Sequence, residues 1–246
     1  MILSAVRELL SVIVPVWNNA DTLAASLASI TEQDYAALEI IVVDDGSTDG
    51  SAAIARQFGV VCIRQENAGP SAARNRGLLA ASGKLISFLD ADDRWPAGRV
   101  QHHLSILADA PATDMVIGTT RTIFLPAPSG EAAHPPLPAP LIQQNLGSIT
   151  LRRTAFDKVG RLNPSLRVGE DKDWFKRALA AGLQIRMTPT VALEYYQRRG
   201  SLTFGTIDPA RGFLAALHDS LQRRRRAAVT SPSATPPATE ATPGDR

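Results

Sequence analysis

Three carboxylates stand within four residues at Asp90, Asp92 and Asp93, broken only by Ala91. Charges so close repel one another unless a cation neutralises them. In an extended segment alternate side chains share a side, so Asp90 and Asp92 can converge while Ala91 stays clear. Hard divalent ions such as Mg²⁺ or Mn²⁺ take oxygen ligands, commonly one or two carboxylates completed by substrate phosphates. A solvated acidic turn that caps a helix fits the same four residues, and they do not separate the two readings. Two further polar clusters, Trp17-Asn18-Asn19 and Asp44-Asp45, each follow an apolar run. A fourth, Glu170-Asp171, opens a helical pattern. Acids there complement the helix dipole, and a like-charged neighbour with partial burial raises a carboxylate's basicity.

No glycine-rich phosphate loop accompanies these residues. The first apolar run leads into Val16-Trp17-Asn18-Asn19-Ala20, neither a GxGxxG nor a GxxxxGK[ST] pattern. Dinucleotide cofactors and P-loop chemistry are thereby disfavoured. A phosphate-bearing ligand would depend on a metal and on nearby arginines, and Arg74 and Arg76 follow Pro70 on a predicted helix.

The elements that must carry these residues alternate between strand and helix. Ser11–Val16, Glu39–Val43, Val60–Ile63 and Lys84–Leu89 read as short buried strands. Leu23, Leu27 and Ile30 mark one helix face, Ile54 and Phe58 another, and a third helix runs from Pro70 until Gly83. That alternation predicts an α/β fold built on a mostly parallel, twisted sheet flanked by helices. In such a sheet ligands bind beyond the carboxyl ends of the strands, which is where three of the polar clusters fall. Further on, Val100, Leu104 and Leu107 predict a helix, Met115–Phe124 a strand, Arg153–Val159 a helix and Gly169 onward another. Separate strands are expected near Gln184–Met187 and Val191–Tyr195. Pro126 to Pro140 holds six prolines and reads as a surface loop or lid. Asp208-Pro209 reads as the cap of a last helix through Leu214, Leu217 and Leu221.

Composition bounds the remainder. The 246 residues suit one domain, expected over 1–226, and the Pro/Thr/Ser/Ala-rich residues 227–246 read as a disordered tail. Net charge is +2, with no global field that would favour nucleic acid; the excess comes from Arg223–Arg226. That run suits either a solvated helix end or a docking patch for anionic lipid. Cys62, the one cysteine, has no internal partner and reads as a buried, inert thiol. No apolar stretch approaches the ~20 residues of a membrane span. The expected location is cytoplasmic, with peripheral contact at the inner membrane face as the lipid-docking variant.

The ordered set SVIVPVWN (11–18), EIIVVDDGSTDGS (39–51), NAGPSAARNRGL (67–78), GKLISFLDADDRW (83–95) and GEDKDWFKR (169–177) closely resembles the inverting family 2 glycosyltransferases. The resemblance covers about residues 11–204. It implies a GT-A fold whose nucleotide-sugar half spans about 11–110 and whose acceptor half spans about 111–226. It also implies transfer from a nucleotide-diphosphate sugar, a UDP-sugar being favoured, to a hydroxyl acceptor on a glycan, lipid-linked or small molecule. The Gln-x-x-Arg-Trp motif and membrane spans of processive synthases are absent, which favours transfer of one sugar. Asp44 matches the carboxylate that accepts from a uracil-type imide N–H, with Pro15, Val16 and Trp17 beside it. Arg74 matches a nucleotide or diphosphate contact. Asp92 matches the direct ligand of Mg²⁺ or Mn²⁺, with Asp90 and Ala91 in support. Asp171 matches the general base. Trp95 and Pro96 suit the pocket wall and the core equally. Where many relatives carry a His near residues 195–199, Arg198 and Arg199 stand here and could pair with the diphosphate. Two other classes share parts of the pattern: a nucleotidyltransferase, and an inactive sugar-nucleotide-binding module.

Overall fold

A computed structural model describes residues 7–125, 140–166 and 169–197. The last predicted helix, Arg198, Arg199, Arg223–Arg226, residues 227–246 and nearly all of the proline-rich segment lie outside them. The first half builds four strands, β1 (Leu10–Val16), β2 (Leu38–Asp44), β3 (Val61–Arg64) and β4 (Leu85–Phe88). Helices α1 (Ala20–Thr31), α2 (Ser51–Gln57) and α3 (Pro70–Ala80) connect them. The second half adds α4 (Arg99–Asp109), β5 (Met115–Phe124), β6 (Ile149–Arg152), α5 (Thr154–Val159), α6 (Glu170–Ala180) and β7 (Ile185–Gln197). All seven strands join one sheet in the order β3-β2-β1-β4-β6-β5-β7.

Six of these strands run one way, and β6 alone is antiparallel to its neighbours β4 and β5. The α/β fold with a mostly parallel sheet is therefore as the periodicity predicts. Both faces are covered, so β1 is buried at every position and reads as a continuous apolar run. One core gathers Ile13, Ile41, Phe88, Phe156 and Trp174; the other gathers Val12, Leu23, Leu27, Leu89 and Trp95.

Several local expectations are corrected. β3 is the last strand of the sheet, so Val61 is exposed and Cys62 is half-buried, not buried in the core. Partial burial and nearby Asp44 raise the Cys62 thiol, which keeps it protonated and unreactive. The third helix ends at Ala80, before Gly83, since Ala81 is already extended; Gly83 instead packs against the start of β1, where a Cβ would lie 2.7 Å from Ser11 Oγ. The two short strands expected near 184–195 are one, β7, whose pairing with β5 slips between Met187 and Val191, around Pro189. A proline has no N–H for the ladder and is tolerated at such an irregularity. β6 and the 3-10 turn before it, Leu146–Ser148, carry no periodicity that would predict them.

Candidate active site

β1, β2 and β4 end on the same side of the sheet, so their trailing residues share one rim. At the end of β1, Pro15 and Val16 are buried while Trp17 is 57% exposed. Asn18 follows in the left-handed region at φ 52°. Its N–H donates to Ser47 Oγ at 3.0 Å and its Oδ1 accepts from the Thr48 N–H at 2.8 Å. The loops after β1 and β2 are thereby joined.

Asp44, the last residue of β2, is fully buried. Its Oδ1 accepts from the Ser47 N–H at 2.8 Å, whereas Oδ2 has no hydrogen-bond partner and lies 3.5 Å from Arg64 Nη1. A buried acceptor without a hydrogen bond is costly, and the Arg64 guanidinium offsets part of that cost. An open depression of about 590 Å³, lined by Gly46, Arg64, Gln65, Glu66 and Asn67, adjoins Asp44 through Arg64. Asp45 faces the other way. Its carboxylate accepts from the backbone N–H groups of Ala68 (2.9 Å) and Gly69 (2.8 Å) and from Gln65 Nε2 (2.8 Å), which fixes the approach to α3.

α3 can lie directly on β1 and β2 because residue 77 is glycine. A Cβ there would fall 2.4 Å from Ile13 Cγ2. That close approach carries Arg74, only 4% exposed, into the middle of the rim. Arg74 Nη2 is 2.5 Å from Asp90 Oδ1, and Nη1 is 2.9 Å from Glu170 Oε1 and 4.0 Å from Asp171 Oδ1. One guanidinium thus joins the loop after β4 to the start of α6, and the surrounding carboxylates hold its proton still more firmly.

The Asp90–Asp93 segment is a tight turn, with the Asp93 N–H donating to the Asp90 carbonyl at 3.1 Å. From α1, Ser26 Oγ donates to the carbonyl of buried Ala91 at 2.9 Å. Asp90 and Asp92 are half-buried, and Asp93 is buried with Oδ1 accepting from the Tyr196 N–H of β7 at 3.0 Å. Burial, with Asp92 and Asp90 beside it, pushes the Asp93 carboxyl well above the usual carboxylate range. Asp93 is therefore a strut between the turn and β7. Asp90 and Asp92 are the more exposed acids of the turn. Among the described residues no three His, Cys, Asp or Glu side chains are grouped to hold a metal by themselves. Two carboxylates fit a hard divalent ion that completes its shell with diphosphate oxygens and water.

α6 begins at Gly169, whose φ of 80° lets the chain turn sharply into Glu170. Glu170 faces Arg74, and Asp171 faces the turn before β6: the Leu146 N–H donates to Asp171 Oδ2 at 3.1 Å. Its Oδ1 has no hydrogen-bond partner. Burial is the largest influence on Asp171; Arg74 opposes it, Glu170 and Asp90 add to it, and the carboxyl is raised to about 7. A carboxylate so tuned is half ionised at neutral pH and still a competent proton acceptor. Trp95, 3% exposed, belongs to the core and not to a pocket wall.

Motif reading alone overlooks several of these roles. Asp45, Asp93 and the Arg74–Glu170 pair are structural members of the rim, and Arg99, also buried, packs 3.7 Å over the Trp95 ring. Asp45 and Asp93 could be suspected only from their place in acidic runs. Arg99 carries no signal, being one arginine in an amphipathic helix.

The sequence profile of Glycosyl transferase family 2 matches residues 11–166, well over half of the chain. The chain belongs to this family. It is 32% identical to the succinoglycan biosynthesis protein ExoU of Rhizobium meliloti (strain 1021), over 78% of this chain and 63% of ExoU. It is 30% identical to the glycosyltransferase AglE of Haloferax volcanii, over 71% of this chain and 62% of AglE. The chain thus spans less than two thirds of the length of these curated relatives. The fold of this family 2 chain is shared with S. aureus TarS 1–349 in complex with UDP-GlcNAc, at a TM-score of 0.67 and 18% identity over 91% of this chain and 67% of TarS. The mannosyltransferase PcManGT of Pyrobaculum calidifontis, in complex with GDP-Man and Mn²⁺, aligns at a TM-score of 0.60 and 22% identity, over 94% of this chain and 66% of that one. Among the described residues no helix is long and apolar enough to cross a membrane.

Proposed function

We propose that this chain moves a single sugar from a nucleotide-diphosphate sugar to an acceptor hydroxyl, with inversion at the anomeric carbon and Asp171 as the base. The observation that carries the reading is the arrangement around Arg74. It brings Asp90, from the proposed diphosphate side, and Asp171, raised to about 7, to one guanidinium. In a single displacement, the Asp171 carboxylate takes the proton of the acceptor hydroxyl as its oxygen bonds to the anomeric carbon. The bond to the β-phosphate oxygen breaks, and the diphosphate leaves with that electron pair. Arg74 is a positioning residue in this scheme, since its guanidinium is already committed to carboxylates. Asp44 Oδ2 would accept from the base of the nucleotide, with the Trp17 ring and the ends of Pro15 and Val16 beside it.

Asp92, supported by Asp90 and the Ala91 backbone, would hold Mg²⁺ or Mn²⁺. The ion would stabilise negative charge on the departing diphosphate. The Mn²⁺ bound with GDP-Man in PcManGT supports that assignment, and the UDP-GlcNAc in TarS supports a UDP-sugar donor. The relation to a succinoglycan biosynthesis protein supports a role in glycan, cell-envelope or glycolipid synthesis. Incubation with Mn²⁺ and a panel of nucleotide sugars tests the proposal. Release of the nucleoside diphosphate is expected; pyrophosphate release would instead indicate nucleotidyl transfer, and binding without turnover an inactive module.

A further inference from the structure

The turn that donates to Asp171 is held by three side chains that the transfer scheme does not use. The Gly147 carbonyl accepts from Trp95 Nε1 at 3.1 Å and from Arg99 Nη2 at 3.4 Å. Arg99 Nη2 also donates to the Ile149 carbonyl at 2.5 Å, and Nη1 donates to Ser87 Oγ at 3.3 Å. From the other side, Asn145 Oδ1 accepts from the Gly147 N–H at 2.7 Å, and the Asn145 carbonyl accepts from the Ser148 N–H at 3.1 Å. Between these anchors sits Leu146, whose N–H points to Asp171 Oδ2.

We propose that Trp95, Arg99 and Asn145 form a buried brace that sets the Leu146–Ser148 turn and thereby aims the Leu146 N–H at the Asp171 carboxylate. They are positioning residues for the proposed base. The brace holds Oδ2 from the β6 side while Oδ1 lies buried 4.0 Å from Arg74 Nη1, so the carboxylate is fixed in orientation between the two. Simple packing explains these residues poorly. Arg99 is 1% exposed and takes part in no ion pair among the described residues. A buried cation without a carboxylate partner is costly. An apolar side chain would fill the same space without that cost, but it could not hold two carbonyls. Stacking over Trp95 and the oxygen acceptors offset part of the penalty.

The charged groups that face Asp171 are Arg74 from α3, Glu170 on α6 itself and Asp90 from the loop after β4. None of them belongs to the brace, so the brace can be altered while they stay. The inference rests on Asp171 being the base, and its test is chosen to be independent of turnover. In the full chain labelled with ¹³C-aspartate and ¹⁵N, the Asp171 Cγ signal, assigned by its loss in Asp171→Asn, gives the titration directly. The Leu146 amide should titrate with it. Trp95→Phe keeps the ring over Arg99 and deletes the indole donor; Asn145→Ala deletes the cap at a half-buried position and keeps the core whole.

Each variant should move the Asp171 midpoint upward by about one pH unit, since the ionised form loses part of a hydrogen bond. Each should also uncouple the Leu146 amide from it, and Asn145→Ser, which keeps an acceptor, should restore both. A purely structural role would lower the unfolding temperature and leave both titrations in place, and that result would overturn the brace. If Asp171→Asn retained full transfer, the base would be wrong while the titration result still stood.

Discussion

Asp171 combines two properties that a stability-optimised protein would avoid: a carboxyl raised to about 7 by burial and an oxygen without a hydrogen-bond partner. The consequence for stability has a definite sign. Its ordinary value is 3.8, so between 3.8 and about 7 the folded chain binds the extra proton and the unfolded chain does not. Stability therefore falls as pH rises through that window, and the cost is fully present above it. Asp171→Asn, which cannot ionise, should be more stable than the native protein by up to ~4 kcal/mol at pH 8, with the gap shrinking towards pH 4. Urea unfolding at both pH values checks this. The same variant should abolish transfer and keep nucleoside diphosphate binding. In the native enzyme kcat/KM should rise with pH and level off above about 7. A profile flat from pH 5 to 8 would remove Asp171 as the base.

At the scale of elements, the rim depends on how closely α3 approaches β1. Gly77 permits that approach, and Gly77→Ala would drive a methyl group to 2.4 Å from Ile13 Cγ2. Overpacking of this kind costs ~1–3 kcal/mol. A shift of α3 should also displace Arg74 from Asp90 and Glu170, so activity should fall by more than the unfolded fraction explains. Urea denaturation beside kcat measured well below the transition separates the two effects. Arg74 itself is the junction of three elements. Arg74→Met would leave Glu170, Asp171 and Asp90 facing one another with no cation. Breaking a buried pair on one side costs ~3–5 kcal/mol. The loss should be greatest at pH 8 and smaller at pH 5, as the Asp171 carboxyl takes up its proton. A thermal midpoint followed across that range reads it out.

For the molecule as a whole, the rim offers two carboxylates and no complete metal cage among the described residues. A divalent ion held by Asp92 and Asp90 should therefore bind with the nucleotide, not ahead of it. Mn²⁺ alone should move the thermal midpoint little, UDP alone modestly, and the two together by more than their sum. EDTA should reverse the joint effect, and Asp92→Asn should remove it while leaving the shift with UDP alone. An additive response in the native protein would argue against a shared site. The joint response belongs to the whole sheet, because Asp44 ends β2, the acidic turn follows β4, and Asp171, the proposed base, opens a helix of the second half.

What the sequence determined by itself was local or periodic. Buried parallel strands show as unbroken apolar runs, and the turn residues that follow those runs put Trp17, Asp44 and Asp90–Asp93 at strand ends. The ordered motifs carried the family for the same reason: each is contiguous. The tertiary structure alone decided the rest. β6 is four residues without periodicity, and its antiparallel place between β4 and β5 comes from pairing, not propensity. Arg74 meets Glu170 across 96 residues of chain, so no window of sequence could show that its guanidinium is taken up by carboxylates. Trp95 suits pocket wall and core equally by residue type; its burial within one of the two core clusters is what decides for the core. The tuning of Asp171 depends on burial and on partners drawn from three separate segments, and those distances exist only once the chain has folded.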